Sequence, residues 1–154
     1  MDLQAYRMKL EEGKRIAEAF KGKVKGQCHQ IEIVGSIRRG RPVINDVDIV
    51  SIPRDPRTFL CGLRALMRGQ QIIRFEEGGA KIDLYLATPE TFEVLRLIRT
   101  GSAQHNVKLA TIAKRRGWQL KFGEGLITPE GTVTSERGIL EKVLGRYVPP
   151  EERE

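Results

Sequence analysis

Two aspartates, Asp46 and Asp48, are separated by one residue within the segment 44–50, whose other members are apolar except for Asn45. Because side chains alternate along a strand, both carboxylates would point to one face while Val47 and Ile49 turn toward the core. Adjacent carboxylates repel each other unless a cation lies between them, and hard oxygen ligands of this kind suit Mg²⁺. The pair therefore predicts a magnesium site on a buried strand.

A small-residue turn, Gly35-Ser36, precedes this pair and is followed at once by Arg38, Arg39 and Arg41. A Gly-Ser turn that leads into a helix offers backbone amides to an anion. Phosphate on one side and Mg²⁺ on the other is the layout of a site that handles nucleotides. The alternative interpretation is a surface loop followed by a solvated strand edge.

A third carboxylate, Asp83, lies in the alternating segment 81–86, which predicts another strand. Asp83 shares one face of that strand with Lys81 and Tyr85, and the apolar residues share the other face. If this strand lies beside the strand of the aspartate pair, the third carboxylate joins the first two. The spacing to residues 72–75 indicates a hairpin and supports a sheet at this place.

The composition favours an anionic partner. The chain has 154 residues, 31% of them charged, and a formal net charge of +7. Nucleic acid is the commonest partner of such a basic chain. The sequence contains two cysteines but no CxxC pair or Cys/His cluster, which predicts reduced thiols, no zinc site, and a cytoplasmic or nucleoid-associated protein. No apolar run is long enough to cross a bilayer, and no signal-peptide pattern opens the chain.

The most one-sided charge segment is residues 94–121, with seven lysines and arginines and no acidic residue. Two interpretations stay open: a solvated basic face, or a surface that follows nucleic-acid phosphates.

Periodicity and breakers predict the remaining elements. Helices are predicted over residues 3–20, 57–67, 88–99, 103–116 and 135–144, with Thr88 as the N-cap of the third. Short strands are predicted over residues 31–34, 118–122 and 126–127.

Four motifs in this order resemble DNA polymerase family X, the DNA polymerase beta type of nucleotidyltransferase. They are the triphosphate-binding turn Gly35-Ser36-Ile37-Arg38-Arg39-Gly40, the metal-binding Asp46-Val47-Asp48, the third-carboxylate strand Ile82-Asp83-Leu84, and the nucleotide segment Thr100-Gly101-Ser102 with Asn106. The Gly-Ser and Asp-x-Asp pair is shared by many nucleotidyltransferases, whereas the Thr-Gly-Ser-x-x-x-Asn segment points to polymerases of this type.

The resemblance implies an α+β fold in two parts. Residues 1–88 would form a nucleotidyltransferase palm, a small mixed sheet flanked by helices. Residues 89–154 would form a small α/β thumb subdomain that binds nucleotide and DNA. Only the family's palm and thumb are matched, so we expect no lyase activity.

The same resemblance implies a DNA-directed DNA polymerase that extends a primer 3′-hydroxyl by two-metal phosphoryl transfer, in short-gap DNA repair. Its partners would be primer-template DNA and deoxynucleoside triphosphates, without a membrane, acting as a monomer. Two Mg²⁺ ions, with Mn²⁺ as a substitute, would be bound by the catalytic residues Asp46, Asp48 and Asp83. The implied nucleotide-binding residues are Gly35, Ser36, Arg39, Gly101, Ser102 and Asn106. The implied DNA-binding residues are Arg99, Lys108, Lys114 and Arg115.

One departure concerns the sugar. Where the family often carries aromatic residues before Thr-Gly-Ser, this chain has Ile98 and Arg99, so discrimination against ribonucleotides stays open. Two competing functions also stay open. One is a small nucleotidyltransferase that modifies RNA, a protein or a small molecule. The other is a non-catalytic nucleic-acid-binding module with incidental carboxylates.

Overall fold

Fifteen helices and strands make up the part of the chain that the computed structural model describes, residues 6–154. In chain order they are β1 (Met8–Lys9), α1 (Leu10–Val24), β2 (Cys28–Val34), α2 (Gly35–Arg38), β3 (Val43–Ile44), β4 (Asp46–Pro53), β5 (Met67–Arg68), β6 (Ile72–Glu77), β7 (Ala80–Leu86), α3 (Phe92–Thr100), α4 (Ala103–Arg115), β8 (Gln119–Lys121), β9 (Gly125–Thr128), β10 (Gly131–Val133) and α5 (Glu136–Leu144).

A mixed five-stranded sheet with the order β2-β4-β7-β6-β5 forms the amino-terminal part. Its two central strands, β4 and β7, run parallel, and the other neighbouring strands are antiparallel. The predicted α+β class, with a small mixed sheet flanked by helices, is confirmed. None of the helices within residues 6–154 is both long enough and apolar enough to cross a lipid bilayer.

The central strand β4 is buried on both faces. Val47 and Ile49 are fully buried in one hydrophobic cluster, which also contains Phe20 of α1. Val50 faces the other way and packs in a second cluster with Phe92 of α3. Because alternate residues share a face, Asp46 and Asp48 lie on the α3 side of the sheet. Burial on both faces explains why the strand is an almost continuous apolar run.

The carboxy-terminal part has its own core. Helices α3, α4 and α5 pack with the small antiparallel sheet β10-β9-β8 around one apolar cluster. Fully buried members of this cluster are Val94, Leu97, Leu109, Leu126, Ile139 and Leu140. The predicted boundary between residues 88 and 89 falls between this cluster and the core of the sheet, and it stays a prediction.

A buried carboxylate, Glu136, joins the two parts. Arg38 of α2 donates to both of its oxygens at 2.7 and 2.8 Å, and Arg153 donates at 3.0 Å. Glu136 and Arg153 are 2% and 0% exposed. Burial acts against the charged form of Glu136, yet the hydrogen bonds and charges of Arg38 and Arg153 hold its pKa below the usual value.

The predicted helix over residues 3–20 is partly wrong. Residues 3–5 lie outside the described part, Met8–Lys9 is a strand, and the helix runs over Leu10–Val24. Met8 pairs with Ile44 of β3 and is buried there, so pairing between distant segments outweighs the helical spacing. The helix also continues to Val24, past its predicted end at residue 20, and Gly22 lies on an open helix face.

The predicted helix over residues 57–67 is wrong. Successive turns occupy this segment, and it ends in the edge strand β5. Phe59 and Leu60 are buried in the sheet's core, whereas Leu66 and Met67 are 57% and 37% exposed. Arg68 donates to backbone carbonyls of this segment, including that of Leu63 at 2.7 Å, so a side chain satisfies groups that a helix would have paired.

The later elements follow the predictions more closely. α3 begins after Thr91 rather than after Thr88, because the Thr91 hydroxyl accepts from the Thr88 amide at 3.0 Å and ends the preceding turn. α4, α5 and the strands predicted around residues 118–127 are confirmed within a few residues. The additional strand β10 was not predicted.

Replacing Glu136 by Gln tests the buried carboxylate. The change removes the counter-charge of the buried Arg153 and of the partly buried Arg38. The free energy of unfolding should therefore fall by about 3–5 kcal/mol. Urea denaturation followed by the fluorescence of Trp118 measures this. Glu141→Gln is the control, because Glu141 is exposed and pairs only with Arg137 one turn away. Its loss should be about 0.5 kcal/mol or less. Equal losses in the two variants would contradict the structural role of Glu136.

Candidate active site

The register of the two parallel central strands brings the predicted carboxylates together. Asp48 of β4 lies directly opposite Asp83 of β7, and Asp46 lies opposite Lys81. Asp46 and Asp48 share one face of β4, and Asp83 shares that face of β7. The structure therefore places all three carboxylates at one end of the sheet, as the sequence predicted. Their roles as ligands and catalytic groups stay a prediction.

Asp48 is the electrostatically strained member of the three. Burial and the neighbouring Asp83 and Asp46 raise its pKa to about 7. The Tyr85 hydroxyl lies 3.5 Å from an Asp48 oxygen, and burial together with Asp48 raises the pKa of Tyr85 to about 12. Like charges held this close favour a bound cation. The chemistry of this donor set fits a divalent metal ion.

Cations of the chain itself already contact two of the carboxylates. Arg74 of β6 lies 2.7 Å from Asp83, and Lys81 lies 3.4 Å from Asp46 and 4.0 Å from Asp83. Within residues 6–154, no three His, Cys, Asp or Glu side chains converge in a geometry that would hold a metal ion. The carboxylates thus fit a metal by type and placement, while their side chains are turned toward internal cations.

The predicted phosphate-binding turn packs directly against the carboxylates. Gly35 has a positive φ of 66°, and a Cβ added to it would lie 2.4 Å from an Asp48 oxygen. Only glycine leaves room for Asp48 at this place. The turn continues into the four-residue helix α2.

The next residue of this motif, Arg39, reaches across to the carboxy-terminal part. Its guanidinium donates to the Thr100 carbonyl, and its buried Nε has no hydrogen-bond partner. Burial and the neighbouring Arg41 lower the pKa of Arg39. An anion in the adjoining cleft would meet both requirements, because it supplies an acceptor and a negative charge.

A cleft of about 530 Å³ contains most of the predicted nucleotide-binding residues. Its walls include Gly35, Ser36, Arg39, Asp46, Asp48, Tyr85, Ile98, Arg99, Gly101 and Asn106. Ser102 and Asp83 are not among the residues that line it. The cleft therefore brings the glycine-serine turn, two carboxylates and the Thr100–Asn106 segment to one place.

Two of the predicted nucleotide-binding residues have structural contacts instead. The Ser102 hydroxyl caps α4 by accepting from the His105 amide at 3.2 Å. The Asn106 side chain donates to the Ile98 carbonyl at 2.8 Å, which leaves its oxygen buried without a partner. Gly101 has a positive φ of 70°, and a Cβ there would lie 3.0 Å from Arg39.

The predicted DNA-binding residues fall into two groups. Arg99 is exposed, lines the cleft, and stacks on the Tyr85 ring at 4.2 Å. Lys108, Lys114 and Arg115 are exposed along α4 and do not line the cleft. Only Arg99 is therefore brought to the carboxylates, and the α4 residues form part of a basic outer surface.

Sequence reasoning missed the role of several residues near the site. Arg74 lies in a strand that the sequence predicted, but its pairing with Asp83 depends on the β6–β7 register. Arg38 was interpreted as part of the phosphate turn, whereas it binds Glu136 and the Thr100 hydroxyl. The alternation of Lys81 with Asp83 was the one visible signal for an internal cation.

Comparison with known proteins places the chain. Residues 95–154 match the family model described as DNA polymerase beta thumb. The DNA polymerase/3′-5′ exonuclease PolX of Bacillus subtilis (strain 168) is 31% identical to this chain. The alignment is 155 positions long and covers 91% of this chain. Over most of its length the chain is thus similar to DNA polymerase family X. It spans 27% of the length of the Bacillus relative.

A solved family X structure has the same fold. Leishmania infantum polymerase beta, in a ternary P/T complex, superposes with a TM-score of 0.74 over 96% of this chain and 77% of that one. Its sequence identity is 19%, so the likeness concerns the fold. The five-stranded sheet and the carboxy-terminal helices thus have the fold of that polymerase.

The buried His105, within the Thr100–Asn106 segment, is expected to make the free energy of unfolding depend on pH. Both ring nitrogens lack hydrogen-bond partners, and burial together with Arg153 and Lys108 lowers its pKa to about 4. The unfolded chain, with a pKa of about 6.5, binds the proton first as the pH falls. The free energy of unfolding should therefore drop by about 2–3 kcal/mol between pH 6.5 and 4 because of this residue.

The variant His105→Leu removes the titrating group and should flatten this part of the pH dependence. Urea denaturation at a series of pH values measures it. His29→Leu is the control, because His29 is exposed and should leave the wild-type slope unchanged. An identical pH slope in His105→Leu and wild type would contradict the prediction.

Proposed function

We propose that this chain catalyses nucleotidyl transfer, adding deoxynucleotides to the 3′-hydroxyl of a DNA primer during short-gap repair. The observation that carries the proposal is the contact between Gly35 and Asp48 within one cleft. In this contact the glycine-serine turn, to which we assign phosphate binding, packs against a carboxylate that lies opposite Asp83 of the adjacent strand. Similarity to family X supports the same reaction class.

The proposed cofactor is a pair of Mg²⁺ ions, for which Mn²⁺ can substitute, held by Asp46, Asp48 and Asp83. When bound, the ions supply activation of the primer hydroxyl and stabilisation of the charge on the departing pyrophosphate. The raised pKa of Asp48, which burial and the neighbouring Asp83 and Asp46 cause, supports a bound cation.

The chain's own residues bind and orient the nucleotide. Ser36 and Arg39 bind the β- and γ-phosphates, since the arginine presents a fixed fork of donors. Gly101 allows the sugar to approach closely, because it has no side chain. Asn106 keeps one amide hydrogen free for the base edge while the other anchors it to the Ile98 carbonyl.

The basic residues Arg99, Lys108, Lys114 and Arg115 bind the DNA backbone in this proposal. The resulting affinity for DNA falls with rising salt because counter-ions are released. Primer extension on gapped, recessed and blunt DNA, with Mg²⁺ and deoxynucleotides, tests the proposed function. Label that appears on RNA or protein instead of on the primer would favour another nucleotidyltransferase, and no transfer at all would favour a binding module.

The variant Asp48→Asn should lower nucleotide incorporation by more than about a hundredfold, because it removes a proposed metal ligand. It also removes repulsion among the carboxylates, so the thermal midpoint should stay constant or rise. Primer extension and thermal unfolding measure the two effects. Asp55→Asn is the control, since Asp55 lies beyond the end of β4 and pairs with Arg57. Retained incorporation by folded Asp48→Asn would refute the metal-site assignment.

The variant Arg39→Ala should raise the KM for deoxynucleotide by about tenfold or more, because a charge-assisted bond to phosphate is lost. The value of kcat should change less, since the lost contact also exists in the bound ground state. Steady-state primer extension separates the two constants. Arg54→Ala is the control: Arg54 is exposed at the opposite end of β4. An unchanged KM in Arg39→Ala would contradict the phosphate role.

A further inference from the structure

A row of charged side chains crosses the three central strands of the sheet. The register pairs Asp48 with Asp83 and Asp83 with Arg74. Alternate residues share a face, so the three side chains lie side by side in the order carboxylate, carboxylate, guanidinium. Arg74 is therefore the internal counter-charge at the β6 end of the row.

The contact between Arg74 and Asp83 engages both carboxylate oxygens. Arg74 Nε lies 2.7 Å from Asp83 Oδ1, and Nη2 lies 3.5 Å from Oδ2. The Asp83 side chain is 7% exposed and that of Arg74 is 31% exposed. A nearly buried carboxylate paired in this way keeps its partner firmly, because a lone charge there would be costly. A metal ion that binds Asp83 must therefore displace the guanidinium or share the carboxylate with it.

A second cleft, which Arg74 also lines, offers space for the guanidinium once it has left Asp83. This cleft, of about 640 Å³, lies between the edge of the sheet and the β8–β9 turn, and Arg74 lines it together with Arg99. Among residues 6–154, no acidic residue lines it. Gln70, Gln71 and Phe122 also contribute, and Phe122 is 54% exposed. Arginines, amides and an exposed aromatic ring are the groups that bind a nucleic-acid strand.

We propose that Arg74 is a positioning residue that couples DNA binding to metal binding. Without DNA it holds Asp83 as an internal counter-ion and competes with the metal. A DNA phosphate in the second cleft draws the guanidinium away from Asp83 and frees both oxygens for the metal. By linkage, the metal strengthens DNA binding to the same degree. This inference rests on the proposed function, since it assumes that Asp83 is a metal ligand.

Mn²⁺ binding, measured by the electron paramagnetic resonance of the free ion, tests the coupling. The folded chain is titrated alone and with a primer-template that ends in a dideoxynucleotide, after subtraction of Mn²⁺ bound by the DNA alone. For wild type, DNA should tighten Mn²⁺ binding by about tenfold, within the usual range of such couplings. For Arg74→Gln, binding without DNA should already be about tenfold tighter, and DNA should add little.

The matched control is Arg64→Gln, which removes an exposed arginine from the connection between β4 and β5. It should behave as wild type. If Arg74→Gln does not fold, Arg74→Lys replaces it, since lysine keeps the charge but loses the forked contact and should show an intermediate affinity. Wild-type Mn²⁺ binding and wild-type DNA enhancement in the folded Arg74 variant would overturn the inference.

The two proposals fail in distinguishable ways. A wild-type chain that extends no primer, while Arg74→Gln still tightens Mn²⁺ binding, would reject the polymerase function and keep the role of Arg74 at the metal site. Unchanged Mn²⁺ binding in Arg74→Gln rejects that role whether or not the wild type extends primers.

Discussion

The parallel pairing of β4 and β7 is the constraint on which the site depends. It fixes Asp48 opposite Asp83, in a setting where burial alone already opposes charge. A shift of one residue would turn one carboxylate into the core, because strand side chains alternate with a period of two. The buried apolar residues on both faces of β4 hold the register. Val47 and Val50 are buried on opposite faces, so a shift of the strand would expose apolar side chains and bury polar ones. Core packing therefore imposes the like-charge contact that a bound cation would relieve.

The second constraint is the buried cluster around Glu136, which ties the two parts of the chain together. Arg38 belongs to the glycine-serine turn and Arg153 to the end of the chain, yet both donate to the same carboxylate. The adjacent Arg39 donates to the Thr100 carbonyl, so the glycine-serine turn and the Thr100–Asn106 segment meet through neighbouring arginines. One arginine of the pair holds the architecture and the other faces the cleft. The ion pairs of Glu136 with Arg38 and Arg153 thus hold in place the two parts of the chain that form the cleft.

The internal cations add a further layer to this site. Lys81 and Arg74 contact the carboxylates from the same sheet, so the acidic face is largely neutralised within the fold. These ion pairs place positive charge beside Asp46 and Asp83 within the fold itself. Under the proposed function, a metal ion would compete with these internal cations for the same carboxylates.

The amino-acid sequence by itself determined the local chemistry: the glycine-serine turn, the alternation that puts Asp46 and Asp48 on one face, and the strand of Asp83. These features follow from short-range backbone geometry, which the spacing of apolar and polar residues along the sequence reveals. Pairing between distant segments was decided only by the tertiary structure. Met8 lies in a strand because it pairs with Ile44 of β3. The apolar residues of segment 57–67 do not form one helix face, since some are buried in the core and others are exposed to solvent. The same holds for Arg38 and Arg74. Their partners are 98 and 9 residues away, and no local pattern records which carboxylate a long, flexible guanidinium will meet.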